Sequence, residues 1–315
     1  MAKMGKALPS KRPMVEFGIM ERAIRSVLAI SLCGTVVFLC FLCNIIQLVL
    51  LPATLASVRV KHYSSSLIVG SLWKLCNLVF YISGGQLQVF GSDEVRPGES
   101  AMVISNHRSF ADFFLMHVVA IQHDMIWCCR YFVKDSIKWI PFFGWGMRLM
   151  GMIMLKRNWL QDQKRIFTTF AFYTKHRLPL WLVSYSEGSR FSARKQQECR
   201  EYAVVNGRPP LTNVLLPRTR GFSASVLALK DTISAVYDFT LVFYARDGRQ
   251  RVPAPWEYLF AGLNRYVFEV HVRRHALNKL PTDDEKQLGE WLHARFQDKD
   301  KLLQQRYEAI AESLL

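Results

Sequence analysis

Asn106-His107-Arg108-Ser109-Phe110-Ala111-Asp112 sets a histidine five residues ahead of an acid, directly after the apolar run 101–105. On one continuous helix that spacing turns the two side chains to different faces. For the Asp112 carboxylate to reach a ring nitrogen, His107 must precede the helix, in a strand-to-helix turn. Held so, the carboxylate fixes the tautomer, the other ring nitrogen acts as a base, and the imidazolium formed when it takes a proton is stabilised. The same residues carry a second reading. Ser109-x-x-Asp112 matches a capping box, in which the acid merely caps a helix. The motif by itself leaves both readings open.

Two further strand-end segments carry complementary chemistry. The run 180–186 leads into Glu187-Gly188-Ser189-Arg190, where the glycine permits close backbone approach and the arginine offers a phosphate two donors. Segment 151–157 ends on the cations Lys156 and Arg157. A base, a glycine-arginine turn and a basic pair at strand ends make a crevice for a phosphorylated substrate. There is no Gly-x-x-x-x-Gly-Lys loop, so nucleotide hydrolysis is not indicated.

The elements that must hold these residues are legible as alternating runs. Strands are expected at 87–90, 101–105, 125–131, 152–155, 180–186, 232–243 and 266–271, and helices at 110–121, 161–176, 194–206, 218–229 and 283–313. The alternation predicts an α/β fold, a mixed central sheet flanked by helices. Segment 244–255, with Asp247-Gly248 and two prolines, is a loop between late strands. No internal repeat or low-complexity tract is present.

The chain has 315 residues, half of them hydrophobic, and 41 Lys+Arg against 25 Asp+Glu give a formal charge of +16, which calls for an anionic partner and excludes a disordered chain. Seven cysteines without a doubled Cys-x-x-Cys argue against a disulfide scaffold and a structural zinc site. Residues 26–51 lack any charged side chain and, as a helix of roughly 39 Å at ~1.5 Å per residue, are long enough to span a bilayer. Asn44 and Gln47 are their only strongly polar side chains. A second apolar stretch, 66–83, holds Lys74 near its middle and reads as an interfacial helix with a snorkelling lysine. Residues 1–25 carry six Lys/Arg and two Asp/Glu, which favours a cytosolic amino terminus. A single crossing would put the basic body in the lumen, whereas a hairpin keeps both flanks cytosolic, and the hairpin is preferred. The expected organisation is a basic arm (1–25), a membrane-anchoring helical hairpin (26–83), a soluble body (84–282) and a charged helical tail (283–315).

Four ordered segments resemble the motifs of glycerolipid acyltransferases: 106–112, 151–157, Ser186-Glu187-Gly188-Ser189-Arg190-Phe191, and 214–221 around Pro217. The similarity is to eukaryotic 1-acylglycerol-3-phosphate and lysophospholipid acyltransferases and covers most of residues 86–305. It implies the glycerol-3-phosphate acyltransferase-like fold and a transfer from acyl-CoA, a co-substrate, to a lysophospholipid hydroxyl, with no cofactor or metal. It further implies His107 as general base oriented by Asp112, and Arg157, Glu187, Gly188, Ser189 and Arg190 as the hold on the acceptor phosphate. Pro217 would shape the acyl-donor side. Lys156 joins this set on local charge alone. The resemblance also implies an endoplasmic reticulum membrane location with the catalytic domain in the cytosol.

Departures from the family pattern carry their own expectations. Ser186 replaces a proline and loosens its turn, and Arg108 sets an extra cation beside the base, where it alters acceptor choice. The aromatic, Met- and Gly-rich stretch 139–154 reads either as core or as an acyl groove, and the groove is favoured because a long fatty chain needs an apolar pocket. His271 and His275 lack an evident third metal ligand. The leading function is acylation of lysophosphatidic acid to phosphatidic acid. The alternatives are remodelling of another lysophospholipid such as lysophosphatidylinositol, or a non-catalytic lipid-binding protein, which the intact His107 and Asp112 oppose. A nucleic-acid binder does not fit an apolar anchor with few aromatics among its basic residues.

Overall fold

A computed structural model describes residues 16–156 and 158–314; Arg157, Leu315 and residues 1–15, which hold most of the expected basic arm, lie outside them. Strands β1 (Leu87–Phe90), β2 (Ala101–Ser105), β3 (Cys129–Lys134), β4 (Ile153–Leu155), β5 (Trp181–Tyr185), β6 (Ala235–Ala245) and β7 (Tyr266–Ala276) form one sheet in the order β1-β7-β6-β2-β5-β3-β4. Every neighbouring pair is parallel except β6 and β7. This is the mixed sheet that the alternating runs predict. Successive residues of β2 serve opposite cores: Ala101 and Val103 face one apolar cluster, Met102 and Ile104 the other. Helix α4 (Asp112–Gln122) covers the first face, and α6 (Trp159–His176) and α8 (Thr219–Ala228) the second. The remaining body helices are α5 (Phe143–Leu149), α7 (Ala193–Val205), α9 (Pro255–Leu259) and α10 (Glu285–Leu314).

Two strand boundaries and the packing of the tail are informative where they depart from expectation. The strand expected at 125–131 opens with a one-turn 3-10 helix, Ile126–Cys128, before β3 begins. Strand β7 runs on past His271 to Ala276 because all eleven of its residues pair with β6, and Arg274 finds Glu99 at 2.7 Å instead of needing solvent. The charged tail is no appendage. Leu288, Leu292, Phe296, Leu303, Tyr307 and Ile310 of α10 are buried in the second core, and Lys299, on the same face, is bound by Asp238 and by the Phe239 carbonyl at 2.7 Å.

Helices α1 (Ile19–Val49), α2 (Leu51–Ala56) and α3 (Val58–Ile82) occupy the apolar segment, with α1 packed on α3 as a helical hairpin. Both long helices are apolar and long enough to cross a membrane. They differ in what they cover. Helix α3 starts eight residues before the expected 66, and Trp73, Asn77 and Phe80 are buried against the body. Arg130 donates to Ser66 Oγ at 2.6 Å, tying α3 to β3, and Lys74 lies 4.2 Å from the Trp127 ring centre, in a cation–π contact where a snorkelling lysine is expected. Helix α1 keeps Ile24, Val27, Val37 and Phe38 exposed, so the unpartnered apolar surface of the hairpin is mainly its own.

The fully buried His117 of α4 has both ring nitrogens without hydrogen bonds, packed against Trp73, Phe113 and Tyr131. Burial pulls its pKa down to about 3. The unfolded chain therefore takes up a proton near pH 6.5 that the folded chain refuses, and this residue's contribution to stability is lost as pH falls from about 6.5 toward 3. His117→Phe removes two unsatisfied groups worth ~1 kcal/mol or more. Thermal unfolding should show a higher midpoint at pH 7.5 and a shallower fall toward pH 5 than in the wild type. An equal or lower midpoint at both pH values would place a partner on that ring.

Candidate functional site

The site is assembled where β2 ends. Asn106, fully buried, donates through Nδ2 to the Leu241 carbonyl at 3.0 Å and accepts the Leu241 N–H on Oδ1 at 2.8 Å, extending the β2–β6 ladder by a side chain. His107 follows in the turn, and Asp112 opens α4. His107 Nδ1 lies 2.7 Å from Asp112 Oδ2, which also accepts the Arg108 N–H at 2.8 Å, while Oδ1 accepts the Ser109 N–H at 2.8 Å. The two readings of the motif are thus one arrangement: a single carboxylate closes the turn and holds the ring. Burial pushes the Asp112 carboxyl above its ordinary value, and the His107 ring and the two backbone donors pull against that push. His107 Nε2 has no hydrogen-bond partner among the described residues.

The glycine-arginine turn comes to the same place from β5, the neighbour of β2. Tyr185 stacks on the His107 ring with 4.2 Å between centres. Buried Glu187 accepts the His107 backbone N–H on Oε1 at 3.1 Å, and burial pushes its carboxyl up to about 8, so at neutral pH it adds little negative charge beside the ring. Gly188 has φ +72°, and a Cβ there would fall 2.7 Å from Arg218 Nε. The close approach that needs a glycine is thus made by the Arg218 side chain. The turn at Ser186 is closed by backbone bonds: the Ser186 carbonyl accepts the Arg218 N–H at 2.7 Å, and the Gly188 N–H donates to the Tyr185 carbonyl at 3.0 Å. Ser189 is half-buried, Arg190 is exposed, and Pro217 is buried just ahead of α8. Lys156 is exposed after β4, three strands from β2 and so roughly 14 Å across the sheet at ~4.8 Å per strand. It shares the edge with His107 without touching it. Arg157 lies outside the described residues.

Arg108 does not crowd the base. Its guanidinium lies 4.5 Å from the Phe191 ring centre and donates to the Asn213 carbonyl at 3.3 Å. Asn213 N–H in turn bonds Asp300 Oδ1 at 2.5 Å, so α10 steadies the loop before Pro217. His271 is paired with Glu269 at 3.0 Å and stacked on Phe90, and no His/Cys/Asp/Glu group among the described residues has the arrangement to hold a metal.

Beside the motif lies an apolar cavity of about 470 Å³, lined by Phe110 of the turn, Phe114 of α4, Tyr258 of α9, Ile140 and Phe142, and residues of α1 and α3. The stretch 139–154 therefore divides. Residues 140–143 line the cavity, whereas Met150, Met152 and Met154 are core. Phe142 has φ 62°, a conformation costing about 1–3 kcal/mol in a non-glycine residue, and Asn44 of α1 donates to its carbonyl at 2.9 Å. That bond gives one of the two polar side chains of the apolar helix a structural task.

The chain is similar to known proteins in sequence and in fold. The acyltransferase family profile matches residues 86–242, and the acyltransferase C-terminus profile matches residues 258–309. A probable 1-acyl-sn-glycerol-3-phosphate acyltransferase 5 of Arabidopsis thaliana is 30% identical over 80% of this chain and 66% of its own length. The human 1-acyl-sn-glycerol-3-phosphate acyltransferase gamma is 28% identical over 73% and 58%. The chain thus spans somewhat under two thirds of the length of these relatives. The crystal structure of the 1-acyl-sn-glycerophosphate acyltransferase PlsC of Thermotoga maritima superposes over 90% of this chain and 97% of its own, with a TM-score of 0.51 at 11% identity, a likeness of fold. The two family profiles and the relatives' sequences define the class. The chain belongs to the glycerolipid acyltransferase family.

Proposed function

We propose that this protein is a membrane-bound, acyl-CoA-dependent acyltransferase that esterifies 1-acyl-sn-glycerol-3-phosphate to phosphatidic acid. The observation that carries the reading is the 2.7 Å contact between His107 Nδ1 and Asp112, with Nε2 left unpartnered, and Phe110 of the same turn lines the apolar cavity. Nε2 takes the proton of the acceptor hydroxyl, whose oxygen attacks the thioester carbonyl; the tetrahedral intermediate collapses, the C–S bond breaks, and the departing CoA sulfur takes the proton back from the imidazolium. Asp112 stays ionised throughout. The cavity receives an acyl chain, and Arg190, with Arg218 and the Gly188 turn, meets the acceptor phosphate. Lys156 and Arg157 extend the same positive edge. Helix α1, with the exposed Trp145 of α5 and Trp256 of α9 beside it, lies in the bilayer, and the basic body faces the cytosolic side of the endoplasmic reticulum membrane.

Membranes holding the protein, given labelled oleoyl-CoA and a panel of lysophospholipids, should label phosphatidic acid from lysophosphatidic acid. Preference for lysophosphatidylinositol would move the acceptor assignment, and labelling of none would overturn the enzyme reading. Arg190→Ala should raise the acceptor KM about 10-fold or more with kcat little changed, as expected for a charge-assisted bond of ~1.5–3 kcal/mol made equally in ground and transition states. An unchanged KM removes Arg190 from the phosphate grip.

A further inference from the structure

A second cationic pocket lies apart from the His107 turn, where the hairpin meets the far strands of the sheet. It encloses about 340 Å³ between the start of α1, the end of α3 and the loop after β6, and its lining includes Arg25, Arg246, Tyr81 and Phe17. Gly84, at φ +88°, makes it: a Cβ there would fall 2.7 Å from the Phe17 ring, which packs over the glycine.

The charges around this pocket are unbalanced. Arg25 is engaged by Glu21 at 2.9 Å and by the Ile82 carbonyl at 3.1 Å. Asp247 on the loop and Glu257 of α9, the nearby acids, are taken up by Arg251 at 3.7 and 3.3 Å. Arg246 has no acidic partner among the described residues, and its Nε is buried with no hydrogen bond. Its backbone N–H bonds the carbonyl of Arg265, an exposed arginine that adds a further positive charge at the rim. A guanidinium that lines a pocket without an acidic partner is balanced when an anion enters beside it.

The depth of the pocket says which anion. Arg25 is the last charged residue before the uncharged run that begins at Ser26, so on a bilayer-seated α1 the pocket stands where hydrocarbon gives way to headgroups. Tyr81, half exposed at the close of α3, is an amphipathic ring at the same level. We propose that this pocket binds the phosphate headgroup of an anionic membrane lipid, with Arg246 as the principal donor and Arg25 as its neighbour. The inference rests on the proposed membrane seat of α1 and is independent of the acyl-transfer chemistry.

The test uses the purified full-length protein in an uncharged detergent, titrated with dioctanoyl phosphatidic acid and read by native mass spectrometry. The wild type should hold one saturable adduct more than Arg246→Gln, whose affinity at that site falls tenfold or more. Arg246→Lys should lose less, which shows that the variants are folded, and Arg249→Gln, outside the lining, should keep the adduct. Dioctanoylglycerol, which lacks the phosphate, should not occupy the site. Equal adduct counts in wild type and Arg246→Gln would overturn the proposal. Retention of millimolar inorganic phosphate with the same Arg246 dependence and full displacement of the lipid would make the occupant free phosphate and reject the lipid assignment. Alkaline washing of membranes reads the seat of α1 separately, so failure of the membrane reading and failure of the pocket are told apart.

Discussion

His107→Ala is expected to lower kcat by about 10²- to 10⁴-fold, the range for loss of a positioned general base, with both Michaelis constants nearly unchanged. The structure makes this a clean experiment. The bonds that fix the turn at this residue are made by its backbone: the N–H donates to Glu187 at 3.1 Å, and the carbonyl accepts the Phe191 N–H at 2.7 Å. Removing the imidazole leaves both in place and costs only the stacking on Tyr185 and the bond to Asp112. The variant should therefore fold, seat its substrates and fail to take the proton. Initial rates with labelled acyl-CoA and lysophosphatidic acid decide the matter, and turnover equal to the wild type would reject His107 as the base.

How far this site could be read from residues alone depends on the distance over which each contact acts. The His107–Asp112 pair spans five residues and one turn, so spacing and the strand-to-helix switch bring the contact within view, while the motif alone leaves open whether the acid holds the ring or only caps the helix. The contacts that hold the pair span 80 residues from Glu187 to His107 and 135 from Asn106 to Leu241. Nothing in a local pattern distinguishes these polar side chains from solvated ones. Helix α10 shows another limit. Leu288, Leu292, Phe296, Leu303, Tyr307 and Ile310 repeat at helical spacing and were legible, but the abundant charges on the opposite face, and Lys299 within the apolar one, give the segment the look of a solvated tail. The sheet pairs Lys299 with Asp238, and only tertiary structure shows that bond. The apolar hairpin is similar: hydrophobicity marks both helices, yet which of them keeps its face free depends on Arg130 reaching Ser66 across 64 residues.

Asp112→Asn should be nearly as damaging as loss of the base itself, by about 10³- to 10⁴-fold in kcat, and for a different reason. The native carboxylate faces three N–H donors, those of Arg108, Ser109 and the His107 ring. An amide has one accepting oxygen and an NH₂ group that only donates. With its oxygen toward Ser109, the NH₂ meets the Arg108 N–H head-on and donates to His107 Nδ1, which moves the ring proton to Nε2, where a base needs a lone pair. With its oxygen toward Arg108 and the ring, the NH₂ instead opposes the Ser109 N–H and leaves a buried donor unpaired, at a cost of about 1–3 kcal/mol. The variant has no orientation that satisfies both demands. Thermal unfolding separates the two: a lower midpoint with kcat near that of the wild type would mean that Asp112 closes the turn and does nothing more, whereas a collapse in kcat with a folded chain assigns it to the tautomer of His107.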